Sequence, residues 1–173
     1  MMFKHIFLTG DNAQLKSKII EQLLEDQIFS GFTLLPYQIN GQEKGRYLHS
    51  YVAVEGYDND LPIEVKINAW QSVTVPNVLD YFGAKILLNS LHSSASIIKM
   101  DPLFISDHKA LIFLEEFNRC LYSDKHIIGA LSTMNDELSA LVFANKESCL
   151  LEINETNQTQ IVENLKRIIS NWD

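Results

Sequence analysis

Residues 4–20, KHIFLTGDNAQLKSKII, decide the fold. His5 to Gly10 form a short apolar run that stops at a glycine, the pattern of a buried strand ending in a turn. The following stretch, AQLKSKIIEQLLED (13–26), places Leu15, Ile19, Ile20, Leu23 and Leu24 at helical spacing, so the helix has one apolar face. Strand, tight turn and helix together open an α/β unit.

The turn carries most of the chemistry. From Gly10, four residues lead to Leu15-Lys16-Ser17. A phosphate-cradling loop reads G-x-x-x-x-G-K-[ST], and here only the second glycine is missing. Such a loop points successive backbone N–H groups at the phosphates from a helix N-terminus. Glycine permits the close approach because it has no Cβ. Leucine at that point adds a side chain where a phosphate would lie. Leu15 also continues the stripe of Ile19 and Leu23, which predicts a core residue in a helix that starts early. Asp11 or Asn12 would then cap that helix, and a carboxylate at Asp11 would repel a nucleotide. Lys16 and Ser17 keep the needed chemistry, Lys16 for the β- and γ-phosphates and Ser17 for Mg²⁺. The competing reading makes both of them solvated residues of a first helical turn.

Further along, residues 31–70 contain short alternating runs between turn signals (NGQ, EKG, YDNDLP) and read as antiparallel hairpins. Residues 75–94 return to helix with Pro76 in the first turn. ASIIKM (95–100) is a short strand ending at Asp101-Pro102. Residues 106–124 form a helix capped by Ser106 or Asp107. KHIIGAL (125–131), SALVFA (139–144) and CLLEI (149–153) read as strands, the last two as a hairpin or a strand with its edge partner. A final helix over 156–172 aligns Ile161, Leu165 and Ile168. No repeat or linker divides the chain, so one domain covers 1–173.

Composition narrows the function classes. Of 173 residues 46% are apolar and 21% charged, which suits a folded domain with a core. No apolar stretch approaches the ~20 residues of a membrane span, and the N-terminal run is too short for a signal peptide. A cytosolic location without membrane contact is expected. The net charge of −8 argues against nucleic acid as a partner. Cys120 and Cys149 have no metal spacing and read as two buried thiols. The five histidines are scattered, and Ser106-Asp107-His108 spells a triad only in letters, because adjacent helical residues diverge. Trp70, Tyr51 and Tyr57 read as hairpin packing residues, with a binding surface as the alternative.

The order of KHIFLTG, SGFTLLPYQINGQEKGRYLHSY, VLDYFGAKILLNSLHSSASIIKMDPLFIS, KHIIGAL and LLEINETNQTQIVENL resembles the P-loop nucleoside-triphosphatase family that includes the cancer-related nucleoside-triphosphatase and its thermophile relatives. The resemblance implies a three-layer α/β domain, with a mainly parallel sheet flanked by helices and an antiparallel hairpin extension at 31–70. It implies that Gly10, Asp11, Asn12, Lys16, Ser17 and Asn157 surround a nucleotide, ATP or GTP, with Ser17 on Mg²⁺ when a metal is bound. No other cofactor is implied.

The departures fall on the chemistry. Ala13 and Leu15 stand where the family has glycine. Aligned on Pro102 and Leu103, the second motif puts Ile98 and Lys99 on its acidic pair and Phe104 on a later glutamate. Pro36 and Gln38 replace an acid and an arginine, and Gln158 replaces another arginine. Asp101, three positions late, is the nearest surviving acid and the one catalytic candidate. The expected protein is therefore a degenerate member of the family, a nucleotide- or phosphate-binding or regulatory module with weak or no hydrolysis. A working Mg²⁺-dependent hydrolase using Lys16, Ser17 and Asp101 is the alternative. A third reading is a protein-binding domain built on the hairpins.

Overall fold

The structure, a computed structural model, describes residues 2–104, 110–132, 134 and 136–172. The chain opens with strand β1 (His5–Thr9) and helix α1 (Ala13–Leu24). Four strands follow: β2 (Phe29–Ile39), β3 (Gln42–Ser50), β4 (Asp60–Asn68) and β5 (Gln71–Thr74). A π-helical turn over Val78–Gly83 runs into α2 (Ala84–His92). Then come β6 (Ile97–Leu103), α3 (Leu111–Leu121), β7 (His126–Leu131), α4 (Glu137–Ala144), β8 (Ser148–Glu152) and α5 (Gln158–Ile169).

Among the described residues the strands form one sheet in the order β5-β4-β3-β2-β6-β7-β1-β8. The pairs β2/β6, β6/β7, β7/β1 and β1/β8 are parallel. The pairs β2/β3, β3/β4 and β4/β5 are antiparallel. Parallel strands covered on both faces read as near-continuous apolar runs, and the centre of β1 is one: Ile6, Phe7 and Leu8 are all fully buried. Their side chains alternate between two cores. Ile6 and Leu8 join Leu15, Ile19, Leu23, Leu165 and Ile169 under α1 and α5. Phe7 joins Phe32, Met100, Phe113, Phe117 and Val142 under α2, α3 and α4. Helices on both faces of a mostly parallel sheet make the three-layer α/β architecture, and β2 to β5 carry it outward as the antiparallel extension.

Several local expectations change. Residues 139–144 belong to a helix, not a strand. Asp136 and Ser139 form a capping box, with Ser139 N–H donating to Asp136 Oδ1 at 2.8 Å and Asp136 N–H to Ser139 Oγ at 3.1 Å. A short apolar run does not distinguish strand from helix, and the cap upstream decides it. β8 is an edge strand parallel to β1, not one arm of a hairpin. Pro76 precedes the helical segment, separated from it by Asn77 in the left-handed region (φ 64°). Ser106, Asp107 and His108 lie outside the described residues. The first-turn N–H groups of α3, at Ile112 and Phe113, donate to Asp80 Oδ1 at 2.8 and 3.1 Å. That cap comes from another helical segment, so no local pattern announces it.

Trp70 does not pack in the hairpins. It is 95% exposed between β4 and β5. Tyr57 does pack, stacking on Phe82 at 5.2 Å. Cys120 is buried, and burial pushes its thiol up to about 12, whereas Cys149 is only half-buried. Among the described residues no helix is long and apolar enough to cross a membrane.

Candidate functional site

β1 delivers the chain to Gly10, whose φ of 118° suits glycine. A Cβ there would lie 2.6 Å from the carbonyl oxygen of Ile153, so the turn admits no larger residue without moving. Two residues later the chain is already capping a helix. Asn12 has extended backbone angles, and its side chain accepts the Leu15 N–H at 2.9 Å. The Asn12 carbonyl accepts the Lys16 N–H at 3.2 Å. Helix α1 therefore starts at Ala13, and Leu15 is buried in the core beneath it.

The next two side chains reach across to neighbouring strands. Lys16 is 4% exposed, and its Nζ donates to the carbonyl of Leu131 at the end of β7 at 2.8 Å. Burial pulls its pKa down, against Asp101 and Asp11, which hold it up. Ser17 Oγ donates to Asp101 Oδ1 at 3.0 Å. Asp101, 3% exposed, is anchored through its backbone carbonyl by Thr33 Oγ1 at 3.0 Å. Burial raises the Asp101 pKa; the Ser17 hydrogen bond, Lys99 and Lys16 oppose the rise, and Glu21 adds to it.

These groups share a cavity of about 550 Å³ at the C-terminal ends of β1, β6 and β7, within the size of small-molecule sites. Gly10, Asp11, Lys16, Ser17 and Asp101 line it. Asn12 does not line it, and its side chain accepts the Leu15 N–H. Asn157 does not line it either. Its amide accepts from Asn154 N–H at 2.9 Å and donates to the Glu152 carbonyl at 2.9 Å, closing the loop before α5.

The residues of the second motif divide between the core and the site. Ile98 is buried in the core against α2 and α3, and Phe104 packs at its edge. The acid that meets Ser17 is Asp101.

One residue of the site, Arg46, escaped the sequence reading, and Lys99, which that reading placed on the acidic pair, lies beside the site. Arg46, on β3, lines the cavity and pairs with Glu64 on β4 at 2.8 Å. No motif announces it, because the hairpin register that brings it there is not visible locally. Lys99 is 4% exposed with Nζ 5.1 Å from the Tyr51 ring centre, 5.7 Å from that of Phe29 and 3.3 Å from the Tyr51 hydroxyl. The two-residue period of a strand puts Lys99 on the same face as Asp101, a signal the sequence did contain.

Mg²⁺ takes oxygen ligands and keeps several waters or phosphate oxygens. The Ser17 hydroxyl and Asp101 carboxylate, 3.0 Å apart, fit that donor set. Among the described residues no group of three or more His, Cys, Asp or Glu side chains gathers to hold a metal unaided.

A mostly parallel sheet with helices on both faces, a glycine turn leading into α1 and a strand-end acid bonded to the α1 serine define a three-layer α/β domain with its cavity at the strand ends. Among solved structures, the chain is similar to THEP1 from the hyperthermophile Aquifex aeolicus. The TM-score is 0.65 at 14% identity, and the match covers 93% of this chain and 96% of that one. The likeness at this identity concerns the fold. No known family signature and no curated protein sequence matches the chain.

Proposed function

We propose that the protein is a nucleotide- or phosphate-binding module with weak or no hydrolysis. One observation carries this reading: α1 begins at Ala13, and Asn12 takes the Leu15 N–H that a phosphate loop would offer to its ligand. Helix capping and phosphate binding use the same orphan donors, so a group given to one is withheld from the other. What remains for an anion is the Lys16 ammonium, the Ser17 hydroxyl and the cavity beside them. Isothermal titration with ATP and GTP, with and without Mg²⁺, tests the reading together with a phosphate-release assay. Weak binding and no sustained release is the expected result. Multiple turnover at rates typical of NTPases, abolished by Lys16→Ala, would overturn it.

A second reading, a working Mg²⁺-dependent nucleoside-triphosphatase, is favoured by the Ser17–Asp101 hydrogen bond. Mg²⁺ would neutralise phosphate charge there. Ser17 and Asp101 are the residues that would hold it, and Lys16 would turn from Leu131 toward the phosphates. The turnover assay separates the two readings.

A further inference from the structure

The cavity wall opposite α1 comes from the antiparallel extension, through Leu34 and Arg46. Arg46 stands between Pro36 on β2 and Glu64 on β4 in the strand register. Its Nη2 donates to Glu64 Oε2 at 2.8 Å, while its buried Nε has no hydrogen-bond partner among the described residues. Buried guanidinium donors are ordinarily satisfied, and an arginine with a spare donor beside a cavity is suited to a planar or tetrahedral anion.

Charge makes Arg46 decisive. Among the described residues, the ionisable side chains lining the cavity are Lys16, Lys18 and Arg46 against Asp11, Glu21 and Asp101. Without Arg46 the acids outnumber the cations, and the wall would repel phosphate. With it they balance, although Glu64 holds part of the arginine's charge. The Arg46–Glu64 pair is partly open to solvent, with side-chain exposures of 39% and 25%. Pairs of this kind contribute little to stability, so exchanging one partner meets little resistance.

We propose that Arg46 is a recognition cation of the anion site, facing Lys16, and that Glu64 is its resident competitor, displaced when a phosphate or polyphosphate enters. The proposal rests on the phosphate-binding reading above and assigns a recognition residue and a built-in restraint to that site. It makes two predictions of opposite sign, which misfolding cannot imitate.

The experiment is titration of the full chain with inorganic pyrophosphate at low and high salt, in wild type, Arg46→Gln, Glu64→Gln, the double variant and Lys16→Ala. Arg46→Gln is expected to weaken binding about tenfold or more, as loss of a charged hydrogen bond does. Glu64→Gln is expected to tighten it about twofold to fivefold by freeing the guanidinium. The double variant should match Arg46→Gln, because Glu64 acts only through the arginine. Glu64→Gln binding no tighter than wild type, or Arg46→Gln binding equally well, overturns the proposal. In either case Lys16-dependent binding by wild type leaves the phosphate-binding reading standing. If wild type binds no pyrophosphate at all, both fall.

Discussion

The two walls of the cavity are built on different principles. On the α1 wall the backbone has turned inward: Asn12 caps the helix and Leu15 is buried beneath it. On the β6 wall the contact is between side chains alone, Ser17 Oγ to Asp101 Oδ1. If the cavity holds phosphate as proposed, the contrast separates the parts of the site that helix formation can claim from those it cannot. A backbone cradle competes with helix formation for the same N–H groups, and burying a leucine adds about 1.5–3 kcal/mol to the helical side of that competition. A serine–carboxylate hydrogen bond faces no such rival, because neither group has another role in the fold.

The largest expected effect tests the packing of the α1 wall. Leu15→Ala should destabilise the protein by about 2–4 kcal/mol, the cost of a cavity in the core under α1. Ser17→Ala should cost about 1 kcal/mol, a single hydrogen bond. Urea midpoints measured side by side give the ranking. If Leu15→Ala proves the milder change, packing does not hold the α1 wall shut and the contrast between the walls collapses.

Acid sensitivity offers the next check, because it should arise away from both walls. His5 is fully buried on β1, with Nε2 bonded to the Leu121 carbonyl at 2.9 Å, and burial lowers its pKa to about 4. The folded protein keeps His5 neutral where the unfolded chain, with a pKa near 6.5, takes up a proton. The unfolded state therefore binds more protons as pH falls from about 6.5 to about 4. Stability is full above that window and declines through it, by about 3 kcal/mol at most. Asp101 has the opposite sign. Its raised pKa makes the folded state the better proton binder, so its contribution to stability is lost as pH rises through the folded pKa. Denaturation of wild type and His5→Gln at pH 7 and pH 4.5 should show the acid loss in wild type alone. A loss that persists in His5→Gln would place the sensitive group elsewhere, with His126 first, since burial lowers its pKa as well.

Period-two and period-3.6 patterns carried the layer arrangement. The buried runs of β1, β6 and β7 and the amphipathic stripe of α1 were legible because their neighbours on both faces are apolar. Leu15 as a core residue and Asn12 as one of two caps followed from the same stripe. What the pattern hid were partners distant in sequence. Asp80 caps α3 from another helical segment, and Arg46 reaches the cavity through a hairpin register containing a bulge. The Ser17–Asp101 contact joins residues 84 apart in the chain, from α1 to β6, a separation that no local pattern bridges. The helix at 137–144 was missed because its apolar run is short, although Asp136 and Ser139 stood in capping positions.

The smallest effect bears most directly on the competition between cap and ligand. Asn12→Ala removes the acceptor of the Leu15 N–H and should cost about 1 kcal/mol, while Asn12→Gly should cost only a few tenths, since glycine is itself tolerated at a helix cap. The glycine variant thus leaves the fold nearly intact with one first-turn donor freed at the edge of the cavity. If the cap withholds that donor from an anion, Asn12→Gly should bind pyrophosphate more tightly than wild type, by about twofold to fivefold, as one added neutral hydrogen bond would give. Unchanged affinity at unchanged stability would mean that Leu15 alone closes the loop. The difference between the two walls would then be one of side-chain volume, with no competition for backbone donors.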